Sequence, residues 1–214
     1  MSALVVEAVT AAYGRGRPVL SSTSFDIAPG HSLAVVGPSG AGKSTLAEIV
    51  LGLRPAASGS VTVAGRPWPA ARAHRHLVQG VPQDAAAAFV PRWTLRRSIA
   101  DAVRRLTDGH DIDRRIDRAA ELADLDRSLL DQRPSEVSGG QAQRAAITRA
   151  LAVDPAVLVA DEPTSALDPS RTAAVSQALV DLARSTDTAL LLVTHDPAVA
   201  ARCDRTLTLI APSA

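Results

Sequence analysis

Apolar residues fall in short clusters along the chain, and their period changes partway through. Short apolar or alternating runs near Leu4–Val9, Val19–Ile27, Ser32–Val36, Gly59–Ala64 and Leu77–Val81 predict strands. Leu33–Val36, Ala156–Ala160 and Ala189–Val193 are apolar without interruption, as suits strands covered on both faces of a parallel sheet. Helical spacing starts at Lys43, near Thr94, near Asp111, at Ser138 and at Pro169, with a short stretch from Pro197. Between Asp84 and Val153 the pattern is helical and strand signals are almost absent. Strands, then a helical block, then alternating β and α predict an α/β fold with a helical insert. The expected organisation is one domain over residues 1–214, with a core from 1–83 and 154–214 and the insert at 84–153.

Composition narrows the class. For 214 residues, surface scaling gives roughly 9,400 Å² folded against about 32,000 Å² unfolded, enough burial for a core without staples. The chain is 46% hydrophobic and 21% charged, an ordinary globular balance. A lone cysteine, Cys203, excludes an internal disulfide framework and a cysteine-built zinc site, and makes a reducing compartment the default. The net charge of +1 gives no electrostatic footprint for nucleic acid, so no nucleic-acid partner is expected. The N-terminus lacks a basic, apolar leader pattern, and no apolar run reaches the eighteen or so residues of a membrane span. The expectation is a soluble chain that would need a partner to act across a membrane. Of 23 basic residues, the only lysine is Lys43. Lysine offers a compact ammonium on a slim stem where arginine offers a broad fork, so the surroundings of Lys43 carry weight.

Those surroundings are Gly37-Pro38-Ser39-Gly40-Ala41-Gly42-Lys43-Ser44, followed by Thr45. The spacing is G-x-x-x-x-G-K-[ST], directly after an apolar strand and directly before a helical pattern. Glycines let backbone N–H groups wrap phosphate oxygens, and the helix adds its positive end. Lys43 is placed for the outer phosphates and Ser44 for Mg²⁺. Asp161 and Glu162 close the apolar run Val157–Ala160, and in a doubly wound sheet ligands sit at such strand ends. Adjacent strand residues point to opposite sides, which divides the work: Asp161 for the metal, Glu162 for the attacking water. Val137-Ser138-Gly139-Gly140-Gln141 opens another helix, with Ser138 as N-cap and two glycines where a helix is disfavoured by about 1 kcal/mol each. This is a second anion-binding terminus in the same chain.

Together these motifs resemble the ATP-binding-cassette (ABC) family, whose signature reads Leu-Ser-Gly-Gly-Gln, with Val137 here in place of leucine. The resemblance covers nearly the whole chain in the family's order. It implies a P-loop NTPase fold: a RecA-like core, an antiparallel β subdomain and a helical signature subdomain. It further implies that Tyr13 stacks on adenine, that Gln83 contacts Mg²⁺ or the water, and that Ser165-Ala166-Leu167-Asp168 crosses a dimer interface. His195 is the implied switch residue at the γ-phosphate. Two cassettes would pair head to tail, as two copies or as this chain with a sibling. Each ATP would then lie between one cradle and the partner's Ser138 helix.

Gln83-Asp84, Pro91 and Thr94 match a stretch typical of peptide- and nickel-import cassettes, while Ala87, Ala88 and Val90 depart from it. The resemblance therefore implies a minimal ATP-hydrolysing import subunit, cytoplasmic and peripheral on the inner face of the membrane. Its implied partners are transmembrane permeases and an extracytoplasmic substrate-binding protein. The alternative is a soluble ABC-type ATPase of DNA repair or translation. Such members insert coiled coils or zinc modules or carry two cassettes, and neither appears in this sequence. A non-catalytic partner cassette is disfavoured because every catalytic position is filled. Phe89 and Trp93 are candidate interface aromatics, with coverage of the insert's own core as the competing reading. The Arg96-Arg97 and Arg104-Arg105 pairs read as a solvated helix face.

Overall fold

The computed structural model describes residues 2–13, 16–69, 72–163 and 169–212. Five strands form a parallel sheet in the order β6 (Val78–Val81), β7 (Val157–Asp161), β8 (Ala189–Val193), β3 (Ser32–Val36) and β9 (Arg205–Thr208). Four more form an antiparallel sheet in the order β2 (Arg17–Ile27), β1 (Leu4–Tyr13), β4 (Ser58–Val63) and β5 (Arg66–Trp68).

The uninterrupted apolar runs are explained by what covers each face of the parallel sheet. Val35, Val157, Val159, Leu191 and Val193 point to one side, where they pack with α1 (Lys43–Val50) and the inner face of the antiparallel sheet. Leu158, Ala160, Leu190 and Leu192 point to the other. There they meet residues from α2 (Leu95–Leu106), α3 (Ile112–Leu122), α4 (Gly139–Leu151) and α5 (Pro169–Ser185), and Val199 of the short α6 (Pro197–Ala200). Between Asp84 and Val153 the described elements are all helical, as the sequence pattern predicts. This stretch has no separate core, because its apolar cluster is continuous with the sheet face.

The sequence reading did not find β5 and β9. They are only 3 and 4 residues long and mostly exposed, too short and too solvated to carry an apolar period. What fastens β9 is polar. The Asp204 carboxylate accepts from Ser32 N at 2.8 Å, Ser32 Oγ at 2.7 Å and Arg184 Nη2 at 2.7 Å, tying the approach to β9 to the start of β3 and the end of α5. Burial alone would raise the Asp204 pKa, but Arg184 and the two Ser32 bonds outweigh it and hold it down at about 2. A depressed carboxylate adds stability above its unfolded pKa of 3.8 and loses it as pH falls through the folded value. Replacement of Asp204 by Asn should therefore cost about 1–2 kcal/mol at pH 7, allowing for partial exposure. In urea unfolding the gap from the wild-type chain should narrow as pH drops from about 4 toward 2. A gap independent of pH over that range would refute the assignment.

Candidate functional site

The parallel topology places four predicted positions on one edge. Gly37 follows β3, Gln83 follows β6, Glu162 follows β7 and His195 follows β8, so all leave the carboxyl ends of parallel strands.

The loop from Gly37 to Gly42 is shaped by close backbone approaches. A Cβ at Gly42, where φ is +90°, would lie 2.5 Å from the Val19 carbonyl oxygen, and one at Gly37 would lie 2.5 Å from that of Leu209. Glycine is thus required at both positions. Ala41 N donates to Pro38 O and tightens the bend. Pro38, Ser39 and Gly40 stand exposed on its outer side. Helix α1 begins at Lys43 with left-handed Gly42 as its cap and no side-chain hydrogen bond on its first-turn N–H groups. Those groups form an anion-seeking terminus. Lys43 Nζ lies over the loop, donating to Gly37 O at 2.9 Å and Pro38 O at 3.0 Å. Ser44 is exposed, whereas Thr45 is buried in the helix's inner face.

Asp161 ends β7 beside this loop. Burial raises its pKa, opposed by the hydrogen bond from Ser44 and raised further by neighbouring Glu162; the Lys43 ammonium lowers it. Its Oδ1 is shut off from solvent and has no partner among the described residues. A carboxylate with a buried, unpartnered oxygen beside a serine hydroxyl supplies hard-oxygen donors suited to a divalent cation. Glu162 departs from the expectation of simple strand alternation. Its φ is +46°, a left-handed conformation that costs a non-glycine residue of order 1 kcal/mol or more. Glu162 N donates to Val193 O at 3.0 Å, and Oε1 lies 3.1 Å from His195 Nδ1. The two carboxylates diverge because β7 has ended, not because the pleat alternates. Asp161 turns to Ser44, and Glu162 pairs with His195.

The second terminus is built as predicted. Ser138 caps α4 in a capping box: Ser138 N donates to Gln141 Oε1 at 2.8 Å, and Gln141 N donates to Ser138 Oγ at 3.4 Å. A Cβ at Gly139 or Gly140 would meet no heavy atom within 4 Å, and neither glycine has a positive φ. Nothing among the described residues demands glycine at these positions. Val137 packs against the helical core, as the signature leucine it replaces would. Ser138 and Gln141 make no side-chain bond to the Lys43 loop among the described residues. Gln83 is exposed and faces Gly139 and Pro163 across a cleft of about 620 Å³.

Tyr13 closes β1, but its side chain lies outside the described residues, as does the whole stretch Ser165–Asp168. Of the two candidate interface aromatics, Phe89 is 6% exposed and belongs to the helical core, which removes it from the surface. Trp93 is half-buried under Arg97, whose guanidinium carbon sits 4.3 Å from the ring centre. Arg96 is not simply a solvated residue, since it lies among Asp113, Asp117 and Asp131. Burial pushes the Cys203 thiol up to about 11, so it is no nucleophile at neutral pH. Sequence reasoning passed over Gln143, which is 5% exposed with an Nε2 that has no partner among the described residues. The available signal was a polar residue on the alanine-lined inner face of α4.

The fold and site define a P-loop nucleotide-binding cassette. Residues 20–165 match the family model described as ABC transporter. The chain is 38% identical to the nickel import ATP-binding protein NikE of Escherichia coli (strain K12), over 89% of this chain and 74% of that protein. It is 36% identical to the Fe(3+) ions import ATP-binding protein FbpC of Mesorhizobium japonicum, over 94% of this chain and 55% of that protein. Among solved structures, cbiO1 from Clostridium perfringens, part of the ABC transporter complex cbiONQ, superposes with a TM-score of 0.86 at 27% identity. That match covers 97% of this chain and 84% of cbiO1. The ATP-binding cassette MJ0796, in a dimeric post-hydrolysis state bound to ADP and Pi, gives 0.80 at 27% identity, covering 96% and 94%. The chain belongs to the ABC transporter family, as one of its ATPase cassettes.

Proposed function

We propose that this cassette energises import through transmembrane permeases, working as one half of a head-to-tail pair that sandwiches two ATP molecules. The observation that carries the reading is the pairing of two phosphate-seeking termini in one chain that do not meet within it. One is the Lys43 loop; the other is the Ser138 terminus, where glycines are unused by the chain's own packing.

In this mechanism Gly37–Thr45 cradle the triphosphate. Lys43 exchanges its loop carbonyls for phosphate oxygens, a stronger charge-assisted contact. Ser44, Asp161 and Gln83 would hold Mg²⁺, which would spread the negative charge of the outer phosphates. Asp161 offers its unpartnered Oδ1 for this. Glu162 orients the attacking water, and His195, hydrogen-bonded to it, faces the γ-phosphate. Tyr13 stacks on adenine. Ser138, Gly139, Gly140 and Gln141 of the partner complete the site, with Asp168 at the interface. Binding closes the pair and hydrolysis reopens it, a two-state element biased by its ligand. Residues 84–153 act as the helical signature subdomain, while 1–83 and 154–214 act as the nucleotide-binding core with its β subdomain.

The nickel import and Fe(3+) import relatives support a metal-type cargo, and the Gln83–Thr94 stretch supports a nickel, peptide or metallophore system fed by an extracytoplasmic binding protein. The chain sits at the cytoplasmic face of the membrane, held there by permeases. No helix among the described residues is long and apolar enough to cross a membrane. Affinity purification of the tagged chain from detergent-solubilised membranes should recover integral membrane partners in defined stoichiometry. Recovery with ribosomes or chromosomal DNA instead would overturn the transport reading.

A further inference from the structure

One buried polar side chain is left unsatisfied where the helical stretch meets the sheet. Gln143 lies on α4 two residues past Gln141 and is 5% exposed, and its Nε2 has no hydrogen-bond partner among the described residues. Neighbouring positions on that helix face, Ala142, Ala145 and Ala146, are buried and apolar. An apolar side chain of equal size would fit this environment better, so an amide here wants a partner in some other arrangement of the molecule. Gln143 forms part of the wall of the 620 Å³ cleft that separates Gly139 from Gln83 and Asp84. On the facing side, Asp84 caps the short 3₁₀ turn Ala85–Ala88, which packs on α4. Asp84 Oδ1 accepts from Ala86 N at 3.0 Å, and its second oxygen has no partner among the described residues. Gln143, with its buried and unpartnered Nε2, and Asp84, with an exposed carboxylate oxygen open to a new donor, therefore line the same cleft.

We infer that Gln143 is a positioning residue for the paired state. When the cleft narrows, Gln143 Nε2 donates to the free oxygen of Asp84. That bond fixes the angle between the Ser138 terminus and the stretch that begins at Gln83. This inference rests on the paired-cassette reading, because the angle matters only when Ser138 must meet a partner's cradle. Its consequence is opposite in the two states: the amide weakens the lone chain and strengthens the closed pair.

The test is Gln143→Met, which keeps the length and volume of the side chain and removes its polar atoms. Thermal unfolding is measured without nucleotide, and ATP-driven dimerisation is measured by sedimentation in a Glu162→Gln background. We expect the melting temperature to rise by about 2–4 °C. The dimer dissociation constant should rise about tenfold or more, as for a lost hydrogen bond to a charged group. Asp84→Ser keeps an oxygen to cap Ala86 N but loses the second carboxylate oxygen. It should weaken the dimer similarly, and the double variant should be no weaker than either single one. A fall in melting temperature would mean that the amide is already bonded in the lone chain, and would overturn the proposal. So would an unchanged dimer constant, or additive effects of the two substitutions. A Glu162→Gln parent that stays monomeric with ATP would strike the paired-cassette reading itself, and this role for Gln143 would go with it.

Discussion

Substitution of Lys43 by Ala should lower ATP turnover by roughly 10²-fold or more while leaving the fold intact. The ammonium is the only lysine in the chain, and it already sits in the mouth of the loop on two carbonyl oxygens. In the proposed site it would be the one positive side chain that the loop itself supplies to the outer phosphates, where charge develops during transfer. Loss of a preorganised group of this kind typically costs 10²–10³ in rate. Little else depends on Lys43, whose side chain is only half-buried, so the melting temperature should move by a few degrees at most. The measurement is steady-state phosphate release with saturating Mg-ATP, compared with the wild-type chain in the same preparation. Near-normal turnover would refute the cradle assignment. Nucleotide binding should be followed in parallel, and it should weaken as well.

Glu162→Gln should produce the second large effect, and in a different quantity. The amide is nearly isosteric with the carboxylate and can still accept from His195 Nδ1 across the 3.1 Å contact. The left-handed backbone at this position makes the same demand on either side chain. What disappears is the negative charge that would take a proton from water. ATP should therefore bind and close the pair, hydrolysis should slow by at least about 10²-fold, and the dimer should accumulate. Gel filtration with ATP and without it reads the outcome directly. A variant that stays monomeric with ATP and hydrolyses it at the wild-type rate would remove Glu162 from the role of orienting water. Lys43→Ala blocks before closure and Glu162→Gln after it, so only the latter should trap a pair.

Much of the fold was legible because it is written in local rules. Continuous apolar runs such as Ala189–Val193 mark strands covered on both sides, and helices cover one face while α1 and the antiparallel sheet cover the other. The glycine spacing before Lys43 and the serine before Gly139 are backbone requirements, and the backbone obeys them in place. Strands β5 and β9 were not legible, because 3 and 4 mostly exposed residues are too few to show an alternating signature. The role of Phe89 was not legible either. An aromatic in a loop-rich stretch reads alike whether it faces a partner or its own core, and only packing placed it inside.

The sequence by itself determined the class of chemistry, since phosphate-seeking loops need particular residues at fixed spacing and little help from distant chain. Tertiary structure alone decided the relations between such pieces. It set Glu162 against His195 through a left-handed turn, left Asp161 Oδ1 and Gln143 Nε2 buried without partners among the described residues, and clamped β9 through Asp204. The Glu162 and Asp204 contacts join groups tens of residues apart at ångström distances, and no local period encodes such a meeting.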